Sequence, residues 1–68
     1  MGEIICKVKY YRTFEGLSQR ELASLSGAAA STICEIESGK RIPNVLLAVR
    51  IARVLGKQVD ELWENIGD

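Results

Sequence analysis

The amino-acid sequence predicts an all-α fold, a compact bundle of about five short helices that forms one domain over residues 1–68. Three observations support this prediction. The chain has 68 residues and a single proline, Pro43. Its glycines fall mostly between runs of apolar residues with helical spacing, where helix ends are expected. Residues 19–38, QRELASLSGAAASTICEIES, contain two helix-length segments separated by a glycine. A chain this short buries only roughly 60% of its unfolded surface, so its core is expected to be small.

The first two helices are predicted from apolar spacing and from a capping pattern. The first is expected over residues 4–14, with one apolar face formed by Ile4 or Ile5, Val8 and Tyr11. Gly16 is expected to end it. The second helix begins after Ser18, because Glu21 stands three residues later and the two can form a capping box.

The turn after the second helix is expected at Gly27, since glycine adopts a left-handed backbone at little cost. Ala23 is small enough to let two helices approach closely. The candidate packing positions of the second and third helices are Leu22, Ala23, Leu25, Ile33 and Ile36. A short turn between closely packed helices makes them cross steeply and leaves one face of the second of the pair outside the core. That outward face comprises Ala29, Ala30, Ser31, Cys34 and Glu35.

The fourth helix is predicted from Asn44, a good N-cap, to Leu55, with Gly56 as its stop. Its core-facing positions are expected to be Val45, Ala48, Val49, Ala52 and Leu55. Further apolar residues make this helix apolar nearly all round, namely Leu46, Leu47, Ile51 and Val54. A surface helix of a small monomer would not have this pattern, so a second buried surface is implied. Asp60 is expected to begin a short fifth helix that carries Leu62, Trp63 and Ile66.

Composition argues against several classes of protein. The chain has no histidine and two cysteines, Cys6 and Cys34, which cannot supply four ligands to a structural zinc ion, so no metal is expected and both are read as free thiols. No catalytic residues, no cofactor and no enzymatic activity are expected, because no nucleophile, base and metal set occurs at usable spacing. No apolar run approaches the roughly 20 residues of a membrane span. The first residues mix charges with apolar side chains, unlike a signal peptide, so a cytoplasmic location is expected.

Charge is distributed unevenly along the chain. Nine basic and nine acidic residues give a formal net charge of zero. Four of the acids lie in the last eleven residues, so residues 1–57 carry a net charge of +4. A mildly basic body permits a local patch that faces nucleic acid, although it argues against strong nonspecific affinity.

The segment 19–38 and its flanking residues resemble the helix-turn-helix of the Cro and lambda-repressor type (the Xre-like family), and the resemblance covers about residues 8–63. It implies a lambda-repressor-like fold in which the second helix lies across a DNA backbone and the third enters the major groove. The implied base contacts are Ala29, Ala30, Ser31 and Glu35. Family members often place long polar or basic side chains here, whereas this chain offers alanines and an acid. Alanine can touch a thymine methyl, serine can donate or accept, and a carboxylate can accept from a cytosine amino group.

The resemblance also implies phosphate contacts and one structural ion pair. Phosphates would be held by Gln19, Lys40, Arg41 and Asn44. The two loop cations could equally be ordinary solvated charges. Arg12 and Glu37 match a pair that joins the first helix to the end of the third in this family, although two unrelated surface charges would have the same sequence.

Two functions of different classes follow. The first is a sequence-specific regulator of transcription, expected to be a repressor, that binds double-stranded DNA as a homodimer. Its interface would include residues from Leu46, Leu47, Val54, Leu62, Trp63 and Ile66. Two copies would be needed because one small domain makes few base contacts, whereas a two-fold pair reads half-sites about 34 Å apart. The alternative is an antitoxin-like or coactivator-like module whose alanine-rich helix meets protein. A regulatory protein partner is compatible with both.

Overall fold

The computed structural model describes residues 3–67, which form five helices and two short strands. The predicted five-helix bundle is confirmed, with a small sheet added. In chain order the elements are β1 (Glu3–Cys6), α1 (Val8–Phe14), α2 (Gln19–Ser26), α3 (Ala30–Glu37), α4 (Val45–Leu55), α5 (Val59–Leu62) and β2 (Trp63–Ile66).

The two strands correct the predicted ends of the first and fifth helices. β1 pairs with β2 in an antiparallel ladder that runs from Glu3 opposite Ile66 to Cys6 opposite Trp63. The amide of Lys7 then donates to the carbonyl of Leu62 at 2.7 Å, which continues the link to the start of α1. Helical spacing was a misleading signal in residues 4–6 and 63–66, whereas the helices predicted next to them are present at Val8–Phe14 and Val59–Leu62. β-branched isoleucines favour a strand. The two segments lie near opposite ends of the chain, and pairing between them satisfies backbone hydrogen-bonding groups of both.

The turn between α2 and α3 has the predicted chemistry. The Ser18 hydroxyl accepts from the amide of Glu21 at 3.0 Å, and the Glu21 carboxylate accepts from the amide of Ser18 at 2.8 Å. Gly27 ends α2 with a φ of 76°, in the left-handed region. Ala23, on the inward side of α2, is buried in the core. These local features place α3 directly after a tight turn, packed on α2.

The core contains residues from all five helices. Its buried members are Val8, Leu22, Ala23, Ile33, Ile36, Ile51, Ala52, Leu55 and Leu62. Several positions differ from the prediction: Val45 is 80% exposed and Val49 and Leu25 are also exposed, whereas Ile51 is fully buried. The inward face of α4 is thus rotated toward Ala48, Ile51, Ala52 and Leu55. A helix that is apolar nearly all round does not itself indicate which face packs inward.

A buried network of charged and amide groups joins the first three helices. The guanidinium of Arg12 donates to Glu37 through Nε at 2.6 Å and through a terminal nitrogen at 3.1 Å, and it also donates to the carbonyl of Leu17 at 2.7 Å. The side-chain amide of Gln19 donates to the same carboxylate at 2.9 Å. The side chains of Arg12 and Glu37 are 9% and 4% exposed. The end of α3 is therefore tied to α1 and α2 by one carboxylate.

We predict that Glu37→Gln lowers the free energy of unfolding by about 3–5 kcal/mol, because the buried guanidinium of Arg12 loses its counter-charge. Urea unfolding followed by circular dichroism measures the change. The matched control is Glu64→Gln, which removes the same charge from an exposed pair with Lys7. A Glu37→Gln effect no larger than that of the control would show that the network does not anchor α3.

Candidate nucleic-acid interface

The outward face of α3 is largely exposed, and its side chains are small except for that of Glu35. Ala29 is the N-cap residue of α3, and its side chain makes no capping hydrogen bond. Ser31 and Cys34 are exposed, whereas Ala30 is half-buried against the core. Three of the four predicted base contacts, Ala29, Ser31 and Glu35, therefore have accessible surface on or beside this face, and Ala30 has less. The helix start offers backbone amides without a side-chain cap.

The loop that follows α3 returns to this face and is attached to it twice. The carbonyl of Glu35 accepts from the amides of Lys40 at 2.9 Å and Arg41 at 3.3 Å. The Nε of Arg41 also donates to the Glu35 carboxylate at 2.8 Å. A residue predicted to contact bases and one predicted to contact phosphates are thus brought together as an ion pair, with side chains 45% and 54% exposed. This contact was not predicted from the sequence.

The other predicted phosphate contacts lie at helix starts or in the loop. Lys40 is exposed, and no salt bridge involves it within residues 3–67. Asn44 caps α4, since its side-chain oxygen accepts from the amide of Leu47 at 2.9 Å, and its NH₂ group makes no other bond among the described residues. Gln19 is half-buried and its NH₂ group already donates to Glu37, so it has less capacity to hold a phosphate than the sequence suggested.

A second, apolar surface lies where α4 meets α5 and the loop. A groove of about 220 Å³ is lined by Ile42, Pro43, Val45, Ala48, Val49, Val59 and Trp63. We call this the apolar groove. None of its lining residues carries a charge. Trp63 was predicted from the sequence to be an interface residue. The exposure of Val45 and Val49 and the role of Ile42 were not predicted. The signal for Ile42 was an isoleucine in a loop otherwise composed of polar residues and proline.

The predicted dimer contacts divide into three groups. Leu46 is 58% exposed and Ile66 is also exposed, whereas Leu47, Val54 and Trp63 are half-buried against the core. Leu62 is fully buried. Its assignment to an interface was wrong, because α5 turns this side chain into the bundle, and the strand that follows begins at the next residue.

The two thiols have different environments. Burial raises the pKa of the Cys6 thiol, which lies half-buried at the end of β1, whereas Cys34 is exposed on the outward face of α3. Within residues 3–67, no group of three or more His, Cys, Asp or Glu side chains is placed to hold a metal ion. No helix in the same range is long and apolar enough to cross a bilayer.

Comparison with known proteins agrees with this geometry. Residues 8–62 match a family model described as helix-turn-helix. An uncharacterized HTH-type transcriptional regulator of Methanocaldococcus jannaschii is 39% identical over 57 residues, which cover 84% of this chain and 86% of that protein. The crystal structure of the restriction-modification controller protein C.AhdI from Aeromonas hydrophila aligns with a TM-score of 0.78 at 34% identity, covering 82% of this chain and 85% of the other.

The N-terminal DNA binding domain of SinR from Bacillus subtilis is similar to the same extent. It aligns with a TM-score of 0.77 at 32% identity, and the alignment covers 82% of this chain and 83% of that domain. The family model, the sequence relatives and the solved structures therefore agree with one another and with the packed α2–α3 pair. The chain belongs to the helix-turn-helix family of transcriptional regulators of the Cro and lambda-repressor type.

Proposed function

We propose that the protein is a sequence-specific repressor of transcription that binds double-stranded DNA as a homodimer, with residues 1–68 acting as one domain. The observation that carries the proposal is the exposed outer face of α3, bordered by a cationic loop and held in place by the Arg12–Glu37–Gln19 network. Such a face, offered by a helix at the surface of a small bundle, fits the major groove. Because its partner is chromosomal DNA, we place the protein in the cytoplasm.

The base-facing surface is proposed to comprise Ala29, Ala30, Ser31 and Glu35. The alanine methyl groups suit contact with thymine methyl groups, and the Ser31 hydroxyl can donate to or accept from a base edge. Glu35 is the one long polar side chain on this face of α3, so the number of direct hydrogen bonds is low. Recognition by this face alone would therefore be weak.

Phosphate contacts are proposed to flank that surface. Lys40 supplies a positive charge, and the NH₂ group of Asn44 supplies a donor at the start of α4. Gln19 stands at the first position of α2, where unpaired backbone amides favour an anion. These contacts position the protein on the duplex without selecting a sequence.

We predict that fluorescence anisotropy detects binding to mixed duplex DNA at low salt, and that Lys40→Ala reduces the salt dependence of log K by about one unit of slope. The slope falls because one fewer counterion is released. Lys9→Ala, which removes an exposed lysine from α1, is the control and should leave the slope unchanged. Absence of binding at low salt would reject the DNA proposal and favour the protein-interaction module.

The apolar groove is proposed as the dimer interface, with a second copy of the chain as its occupant. The lining of the groove is uncharged, and Leu46 and Ile66 are further exposed apolar side chains. An apolar protein surface therefore fits the groove better than a polar peptide does. A two-fold dimer presents the same patch twice, so that groove and protruding side chains are present on both partners. It also supplies the second reading helix that a weakly recognising domain needs.

We predict that Val45→Glu converts the dimer to a monomer. Val45 is 80% exposed and lies in the first turn of α4, where an acidic side chain is compatible with the helix dipole, so the fold should survive. Sedimentation equilibrium measures the dissociation constant, with Leu25→Glu as a control that charges an exposed leucine on α2. A dimer unaffected by Val45→Glu, or an equal loss with Leu25→Glu, would contradict the assignment.

We further predict that bound DNA protects Cys34 from alkylation. Cys34 is exposed on the outward face of α3, so a duplex seated there blocks reagent access. Iodoacetamide labelling followed by mass spectrometry gives the rate at each thiol with and without DNA. Cys6 is the internal reference: it is half-buried with a raised pKa, so it should react slowly in both states. Equal labelling of Cys34 with and without bound DNA would place the duplex elsewhere.

A further inference from the structure

The side chain of Arg41 contacts the outer surface of α3 through Glu35, on a helix that has no basic side chain of its own. The other exposed residues of α3 on this side, besides the partly exposed Glu35, are Ser31 and Cys34, neither of which carries the two donors that a guanine edge requires. Arg41 belongs to the following loop, but its Nε donates to the carboxylate of Glu35 at 2.8 Å. The guanidinium is thereby held against α3, one helical turn beyond Ser31.

The loop and the ion pair fix this guanidinium by two independent contacts. The backbone amide of Arg41 donates to the Glu35 carbonyl at 3.3 Å, and the neighbouring amide of Lys40 donates to the same carbonyl at 2.9 Å. The side-chain bond uses Nε alone, and the terminal nitrogens donate to no acceptor within residues 3–67. Those two nitrogens form the end-on fork that matches the O6 and N7 acceptors of guanine.

We propose that Arg41 reads a guanine in the major groove and that Glu35 is the positioning residue that aims it. This proposal rests on the proposed DNA-binding function and changes the division of roles within it, since it moves Arg41 from the phosphate contacts to the base contacts. The adjacent carboxylate is the reason. It repels the full charge of a phosphate more strongly than the partial charges on O6 and N7 of a guanine, so the paired guanidinium favours a base over the backbone.

The Arg41–Glu35 ion pair is expected to weaken binding to DNA of mixed sequence while it strengthens the preference for guanine. Glu35 is an acidic side chain on the presented face, and it offsets the charge of Arg41. Nonspecific binding depends on net charge near the phosphates, so the pair weakens it. At the matching site the same pair holds the fork in its bound conformation and reduces the entropy cost of ordering a long side chain. Removal of Glu35 should therefore raise nonspecific affinity while lowering preference for the guanine.

The experiment is selection of bound sites from random duplexes by the full chain, followed by measurement of binding to the selected duplex and to single-base-pair variants of it. We expect one guanine in each half-site whose replacement weakens wild-type binding about tenfold or more. Arg41→Ala should abolish preference at that base pair alone. Glu35→Ala should reduce it roughly 2- to 10-fold and strengthen binding to mixed duplexes. The double variant should match Arg41→Ala, because the two residues act on one base pair.

Three controls separate this proposal from its competitors. Glu35→Gln keeps an oxygen that accepts from Nε and should retain more of the preference than Glu35→Ala does. Lys40→Ala should weaken all duplexes alike. Circular dichroism checks that the fold is retained, as expected for two half-exposed side chains.

The outcomes that overturn the proposal are distinct. An unchanged site with a reduced salt slope in Arg41→Ala would make Arg41 a phosphate contact. Loss of preference at a different base pair in Glu35→Ala, additive with Arg41→Ala, would make Glu35 a reader itself. A wild-type chain that binds no duplex, or selects no sequence, would overturn the proposed function and this inference with it.

Discussion

The carboxylate of Glu37 is the constraint on which the position of α3 depends. α3 has eight residues and no side-chain cap at its start, so it is too short and too poorly capped to be stable alone. Its packing residues, Ile33 and Ile36, hold it to the core, but apolar contacts are non-directional. The bonds from Arg12 and Gln19 to Glu37 add direction, because they join the end of α3 to two other helices at fixed geometry. A buried carboxylate with fewer donors would destabilise the same fold.

Local signals in the sequence predicted the central part of the fold well. The Ser18–Glu21 capping box, the Asn44 cap and the glycines at 27 and 56 are each decided within four residues, and the structure has all of them. The ends of the chain were predicted poorly for the opposite reason. β1 and β2 exist only because residues some sixty positions apart pair with each other, and no local pattern reports such a pairing. The inward face of α4 and the burial of Leu62 likewise depend on where α5 packs.

The candidate site shows the same division between local and tertiary information. Position on α3 sufficed to predict that Ser31 and Cys34 would be exposed, and the motif sufficed to name Arg12 and Glu37. The contact between Arg41 and Glu35 was missed because it spans six residues and the end of a helix, a separation that no helical or strand period describes. Gln19 was assigned to phosphate on the basis of its place at a helix start. In the structure, the side-chain amide of Gln19 donates to the carboxylate of Glu37. This contact arises only when α2 packs against α3, so it could not be predicted from local sequence.

The loop between α3 and α4 links the two surfaces on which the proposed function depends. Lys40 and Arg41 are bonded to the end of α3, on the side proposed to face DNA, while the next two residues, Ile42 and Pro43, line the apolar groove. In the proposed dimer, packing of a second copy against Ile42 and Pro43 restricts the same short segment that carries the two cations. Ordering this segment before DNA arrives removes part of the entropy cost of binding. A chain with zero net charge gains little from nonspecific attraction to phosphates. In the proposed dimer, affinity therefore depends on two correctly placed reading surfaces, and the loop connects the dimer interface to the base contacts.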